Sequence, residues 1–155
     1  ESIQAAINKL NNHKKRLKSH KLPGPTGESN VLSFYSRGVV LCLGPTFDMA
    51  LLQAQTAKEN GCSTLIITED AEGESTIKGS LNRADLQFLN GFDAVVAWSD
   101  EEDQRDILRA LASRSGPIVP LINDLNFSDR CILERHLCID TTAAGGNAAL
   151  LMKTS

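Results

Sequence analysis

Two stretches of this chain carry residue types that could do chemistry. The first is the turn Leu43–Asp48 (LGPTFD), which ends an apolar run and opens a helical pattern. In an open α/β sheet a nucleotide phosphate lies at such a turn, against the amides of the first helical residues. Glu69 or Asp70 closes the next apolar run, about where an acid would hold a ribose. A dinucleotide fingerprint asks for GxGxxG, however, and here one Gly44 is followed by Pro45, which has no N–H to offer. Asp48 adds a carboxylate to the first helical turn, the place a phosphate would need. A stand-alone nucleotide-binding enzyme or regulator working through the Leu43–Asp48 turn with Glu69 remains one reading.

The second stretch is Cys131–Cys138. His136 and Cys138 would share one face of a strand, which brings an imidazole near a thiol. A nucleophile–base pair also needs a third group to orient the base, and none is evident. Cys131, His136 and Cys138 supply three soft ligands, but not at a common zinc spacing and without a fourth. Glu134 and Arg135 read as surface charges, while His13 and His20 fall in a basic arm. On these residues the catalytic, cofactor and metal positions of the fold are unfilled.

The chain of 155 residues, 41% apolar and 23% charged, is long enough for one globular domain. No apolar run approaches the roughly 20 residues of a membrane span, and no signal peptide is visible. Starting at Glu1 rather than Met, the chain reads as a fragment or a processed product. Cys42, Cys62, Cys131 and Cys138 form no CxxC pair, and a reducing cytoplasm is the expected compartment. The net charge of −3 hides an asymmetry: residues 1–21 hold six Lys and Arg against Glu1 alone. That run has no interleaved aromatics and no DNA-binding motif. A solvated or docked helix face is expected of it, with no nucleic acid bound through this domain.

The elements that must position these residues follow from periodicity. Ile3, Ala6, Ile7, Leu10 and Leu17 predict a basic amphipathic helix or linker over 1–20, the helix itself over 2–19. Leu22–Asn30 (LPGPTGESN) has two prolines and two glycines and predicts an extended connector, neither helix nor regular strand. Val31–Tyr35 and Val39–Leu43 predict a hairpin or two successive strands. A helix over 47–60 capped by Thr46 follows, with Met49, Leu52 and Ala57 in the core, and Gly61 stops it. Thr64–Thr68 is a strand buried on both faces, and a short helix falls near 82–89. Asp93–Trp98 is a strand, and Ser99 caps a helix to about Ser113 with Ile107, Leu108 and Leu111 inward. Ile118–Ile122 is a strand, Ser128–His136 a short helix, and Leu137–Thr141 the last strand. Strands alternating with helices across short turns predict an α/β, Rossmann-like, doubly wound and mainly parallel sheet over residues 21–155.

The tail Cys138–Met152 (CIDTTAAGGNAALLM) is written differently. Gly145 and Gly146 give a backbone free to lie against another. The stretch reads either as strand, tight turn and terminal helix or as a docking surface of small residues.

LPGPTGESN with SRGVVLCLGP, GPIVPLI and DTTAAGGNAALL resembles the C-terminal domain of the bacterial bifunctional proline-utilisation flavoprotein, over residues 21–152. The resemblance implies a parent polypeptide with an FAD-dependent proline dehydrogenase and an NAD-dependent aldehyde dehydrogenase. Together they take proline through pyrroline-5-carboxylate to glutamate, with the intermediate channelled between them. It implies that this domain looks like the NAD-binding half of an aldehyde dehydrogenase. The domain would cover the channelling cavity and pack on the aldehyde dehydrogenase and proline dehydrogenase domains of the same polypeptide. Aldehyde dehydrogenases place Pro-Trp-Asn-Phe-Pro after the RGVV strand, where Thr46-Phe47-Asp48 follow Pro45 here. Thr68-Glu69-Asp70 stand in place of a Lys-Pro pair that helps bind the ribose. The resemblance therefore implies no catalytic, cofactor or metal residue in this domain. Its expected docking residues are Gly24, Pro25, Thr26, Gly27, Glu28, Ser29 and Asn30 in the connector (21–30), with Thr141, Thr142, Gly145, Gly146 and Asn147 in the C-terminal motif (138–152).

Overall fold

The computed structural model describes residues 2–10, 16–24 and 28–140. In chain order they form α1 (Ile3–Asn8), β1 (Arg16–Leu22), β2 (Glu28–Ser36), β3 (Val39–Cys42), α2 (Phe47–Glu59), β4 (Ser63–Thr68) and β5 (Thr76–Lys78). Then come β6 (Ala94–Val96), α3 (Glu101–Ala112), β7 (Leu121–Ile122) and β8 (Ile132–Asp140), with 3₁₀ turns at Arg83–Gln87 and Ser128–Cys131.

Five strands make a parallel sheet in the order β5-β4-β3-β6-β7. The chain runs outward from β3 to one side, then returns to fill the other, which is the Rossmann-like, doubly wound arrangement expected. Because helices cover both faces, the central strands are apolar without alternation. Val39, Leu41, Leu43, Leu65 and Ile67 pack against Ile107 and Leu111 of α3, Leu86 and Ile7. Val40, Cys42, Ile66 and Val96 turn the other way, onto Ala50, Ala54 and Ala57 of α2 and onto Phe127.

Small residues on the inner stripe of α2 decide which side chains go inside. Ala57 is buried as expected, but Met49 and Leu52 stand outward, Leu52 at 56% exposed. The helix lies against the sheet through alanines, and its larger residues are left in solvent. In α3 the same geometry buries Ile107 and Leu111 and turns Leu108 out. Asp100, not Ser99, caps that helix, its carboxylate accepting the Asp103 amide at 2.9 Å.

The second sheet is antiparallel, in the order β1-β2-β8. It revises three expectations. Among the described residues the N-terminal helix covers Ile3–Asn8, where Ala6 and Ile7 are buried, and the basic arm from Arg16 to Leu22 is the strand β1. The expected connector is a hairpin connection: Leu22 ends β1 opposite Asn30, and Glu28, Ser29 and Asn30 are already strand residues of β2. Pro23 and Gly24 lie past the end of β1, where no ladder partner is asked of them. The expected helix Ser128–His136 is one 3₁₀ turn, after which Ile132–Asp140 extends to pair with all of β2, from Ser36↔Ile132 to Glu28↔Asp140. An available partner strand outweighs the helical propensity of Glu134 and Arg135. The two β-rich runs Val31–Tyr35 and Val39–Leu43 are successive strands, in different sheets. The short helix near 82–89 is the 3₁₀ turn Arg83–Gln87, preceded by β5.

Candidate functional site

The carboxyl edge of the parallel sheet is where this fold binds ligands. It holds a cleft of about 400 Å³ lined by Leu43, Pro45, Thr46, Thr68, Glu69, Asp70, Ser80 and Arg83 among others. Its inner wall is the turn from β3 to α2. Gly44 has φ +84, and a Cβ there would meet Thr46 N at 2.7 Å and Thr46 O at 2.8 Å. Gln53, fully buried in α2, closes the turn from beneath: its Oε1 accepts the Gly44 amide at 3.1 Å and its Nε2 donates to the Gly44 carbonyl at 2.8 Å. That carbonyl also accepts the Trp98 amide from the end of β6.

Three of the amides around the turn, those of Gly44, Phe47 and Met49, are taken by the chain's own side chains. Thr46 Oγ1 accepts the Met49 amide at 3.2 Å, and Asp70 Oδ1 accepts the Phe47 amide at 3.2 Å. Asp70, one of the two candidates for a ribose acid, is therefore a helix cap supplied from the neighbouring strand. With Pro45 lacking an N–H and the exposed carboxylates of Asp48, Glu69 and Asp70 around it, the turn is a poor fit to a pyrophosphate.

Arg83 is the cation on the cleft wall, and it is committed. Its Nε and Nη2 reach the two oxygens of Asp103 at 2.7 and 3.0 Å, with both side chains three-quarters buried. The Arg83 hydrogen bonds hold the Asp103 carboxyl below its usual range. A carboxylate depressed in the folded state stabilises above its unfolded pKa and loses that contribution as pH falls through the folded value. Arg83→Met is expected to lower stability by about 1–2 kcal/mol at neutral pH, a deficit that shrinks as urea titrations are repeated below pH 4. A pH-independent deficit would show that the pair acts through packing instead.

The thiols lie elsewhere. Burial pushes Cys42 up to about 12, which leaves it a protonated core residue. Cys62 and Cys131 are buried together, Cys62 Sγ lying 3.6 Å from the Cys131 carbonyl. A hydrogen bond from the Cys131 thiol brings Cys62 down to about 7. The pair joins the amino end of β4 to the start of β8, at the opposite edge of the sheet from the cleft. Cys131 and Cys138 thus stand near opposite ends of β8, and His136 and Cys138 lie two positions apart on it. Neither Gln53 nor the Cys62–Cys131 contact was foreseen; a lone buried-side glutamine in an alanine stripe was the one signal for the former. Of the expected docking residues, Gly24 is exposed at the hairpin, and Glu28, Ser29 and Asn30 pair with Asp140, Ile139 and Cys138. Pro25, Thr26, Gly27, Thr141, Thr142, Gly145, Gly146 and Asn147 lie outside the described residues.

No protein-family model matches the chain. It is 32% identical over 144 residues to the bifunctional protein PutA of Escherichia coli, and equally so to that of Salmonella typhimurium. The match covers 84% of this chain but 11% of each of those proteins. Klebsiella aerogenes PutA is 30% identical over 137 residues. A crystal structure of Bradyrhizobium japonicum proline utilization A superposes with a TM-score of 0.52 at 30% identity, over 76% of this chain and 14% of that one. A further proline utilization A structure, with proline bound in remote sites, gives 0.53 at 30% identity. The turn that closes on itself thus sits in a chain that is a homologue, over about a tenth of their length, of the bacterial bifunctional PutA (proline utilisation A) proteins.

Proposed function

We propose that this chain is a non-catalytic, C-terminal domain of a bifunctional enzyme that oxidises proline to glutamate through pyrroline-5-carboxylate. FAD and NAD serve the other domains of that polypeptide, and none serves this one. The domain keeps the frame of an aldehyde dehydrogenase NAD-binding domain, covers the channelling cavity and supports the aldehyde dehydrogenase domain. The observation that carries this reading is the closed β3–α2 turn, whose amides go to Thr46, Asp70 and Gln53 rather than outward. Gly24–Asn30, with Thr141, Thr142, Gly145, Gly146 and Asn147, are the proposed contacts with the neighbouring domains, and the cytoplasm is the proposed compartment. Among the described residues no helix is long and apolar enough to cross a membrane.

Removing residues 141–155 from the full polypeptide is expected to lower aldehyde dehydrogenase activity and coupled turnover, with proline dehydrogenase activity kept. Calorimetry of the 155-residue chain with NAD is expected to give no binding tighter than about 1 mM. Unchanged coupled turnover would count against the supporting role. Saturable NAD binding would favour the nucleotide-binding reading of Leu43–Asp48 instead.

A further inference from the structure

The parallel sheet ends on β7, and the ground beside that edge is suited to another strand. Pro120 and Ile122 turn their carbonyls toward β6, where they accept the Val95 and Ala97 amides at 3.0 and 3.1 Å. Alternate residues of a parallel strand face the other way, so the Leu121 peptide groups point out along the edge. Pro120, which lacks an N–H, faces β6, so it removes no donor from the open side.

Alongside the edge runs an apolar groove of about 410 Å³, with Leu111 and Leu121 at its base. Its rim is Leu108, 51% exposed, and Ile118, 93% exposed. Through Pro117, Ile118 and Val119 it continues into a second hollow of about 290 Å³ that carries Arg37 and Arg114. Asp93 shares that hollow, its carboxylate accepting the Val39 amide at 2.9 Å and offsetting part of the charge of Arg37, so two guanidinium groups stand there against one carboxylate. Burial lowers the pKa of both guanidinium groups, and repulsion from Arg130 adds to the effect on Arg37. The chain spans about a tenth of the polypeptides it matches, so there is ample further chain to meet this surface.

We infer that the outer edge of β7 receives an extended segment of the remaining polypeptide. That segment pairs with Leu121 as an added strand, lays apolar side chains between Leu108 and Ile118, and sets an acidic side chain against Arg37 and Arg114. Edge pairing supplies the main-chain bonds, and the two hollows supply the choice of side chains. Among the described residues no strand pairs with the outer side of β7, and an unpaired edge beside an apolar groove is otherwise an aggregation hazard. The inference rests on the reading of this chain as a domain of a larger enzyme.

Hydrogen exchange on the full-length polypeptide, compared with the 155-residue chain, tests it. The Leu121 amide is expected to exchange at least about tenfold more slowly in the full polypeptide. Ile118→Glu in the full polypeptide should abolish that slowing, while Phe88→Glu, at a 71% exposed site away from the groove, should leave it intact. Protection appearing elsewhere in this domain but not at Leu121 overturns the inference and leaves the domain reading standing. No added protection anywhere in the domain overturns both. Slowing already present in the 155-residue chain, and lost when residues 141–155 are removed, assigns the edge to the chain's own tail and also overturns it.

Discussion

Phe127→Ala is expected to cost this domain about 3–5 kcal/mol, seen as a lower urea midpoint at an unchanged slope. Phe127 is 1% exposed and lies in the cluster formed by Val40, Ile122, Cys131 and the alanines of α2. Trp98 meets its ring edge-on, with centroids 6.4 Å apart and planes at 69°, and the indole Nε1 is fixed on the Asp124 carbonyl at 2.9 Å. Strands and a short-sided helix line the space, and such neighbours relax little into a void. Phe127 also opens the 3₁₀ turn that leads into β8, so the loss should be felt in both sheets. Leu125→Ala, two residues away and 77% exposed, should change stability by less than about 0.5 kcal/mol. Similar costs for the two variants would contradict the packing described.

Gly44→Ala is expected to lose at least about 2–3 kcal/mol, because a left-handed φ and a backbone clash act together. The added Cβ would lie 2.7–2.8 Å from two backbone atoms of Thr46, which begin α2 and cannot swing aside as a flexible side chain could. To make room the turn must open, breaking both bonds to Gln53 and leaving a buried amide oxygen and a buried N–H without partners. Gly73→Ala is the natural comparison. Its φ is +101, yet nothing lies within 4 Å of the added carbon, so only the strain of about 1 kcal/mol remains. If thermal denaturation finds the two variants alike, the turn is looser than its geometry implies.

The parallel sheet could be read from the chain because its strands are uninterrupted apolar runs. Val39–Cys42 and Ser63–Thr68 must be buried on both faces, and each is followed by a clear stop, Gly44-Pro45 or Glu69-Asp70. The antiparallel sheet was hidden for the opposite reason. RLKSHKL and ILERHLCID carry charges on three of seven and three of nine positions, and each could follow either period. What makes them strands is β2 between them, a fact of tertiary structure that no local window contains. Helix positions were legible, but their faces were not. Reading Leu52 as core assumes that the largest apolar residue goes inside, whereas the inner stripe of α2 is set by Ala50, Gln53, Ala54 and Ala57, and Leu108 simply falls off the buried stripe Ile107, Ala110 and Leu111 of α3. At the cleft, Pro45 and Asp48 already argued against a phosphate. The closure by Gln53 and Asp70 needed the fold, since those residues reach the turn from a later helical turn and from the next strand.

The pairing of β8 with β2 has a bearing on how the molecule is made. About a hundred residues separate Ser36 from Ile132, and closing so long a loop must await contacts that hold its ends near each other. The Arg37 amide on the Cys131 carbonyl, at 2.9 Å, is one such contact, joining the start of β3 to the start of β8. During synthesis from the amino end, β1 and β2 therefore leave the ribosome as a ribbon with one flank bare. The strand that pairs with β2 on its other side, β8, is the last of the described strands to be translated, and until it emerges that flank of the nascent chain needs shelter from its neighbours.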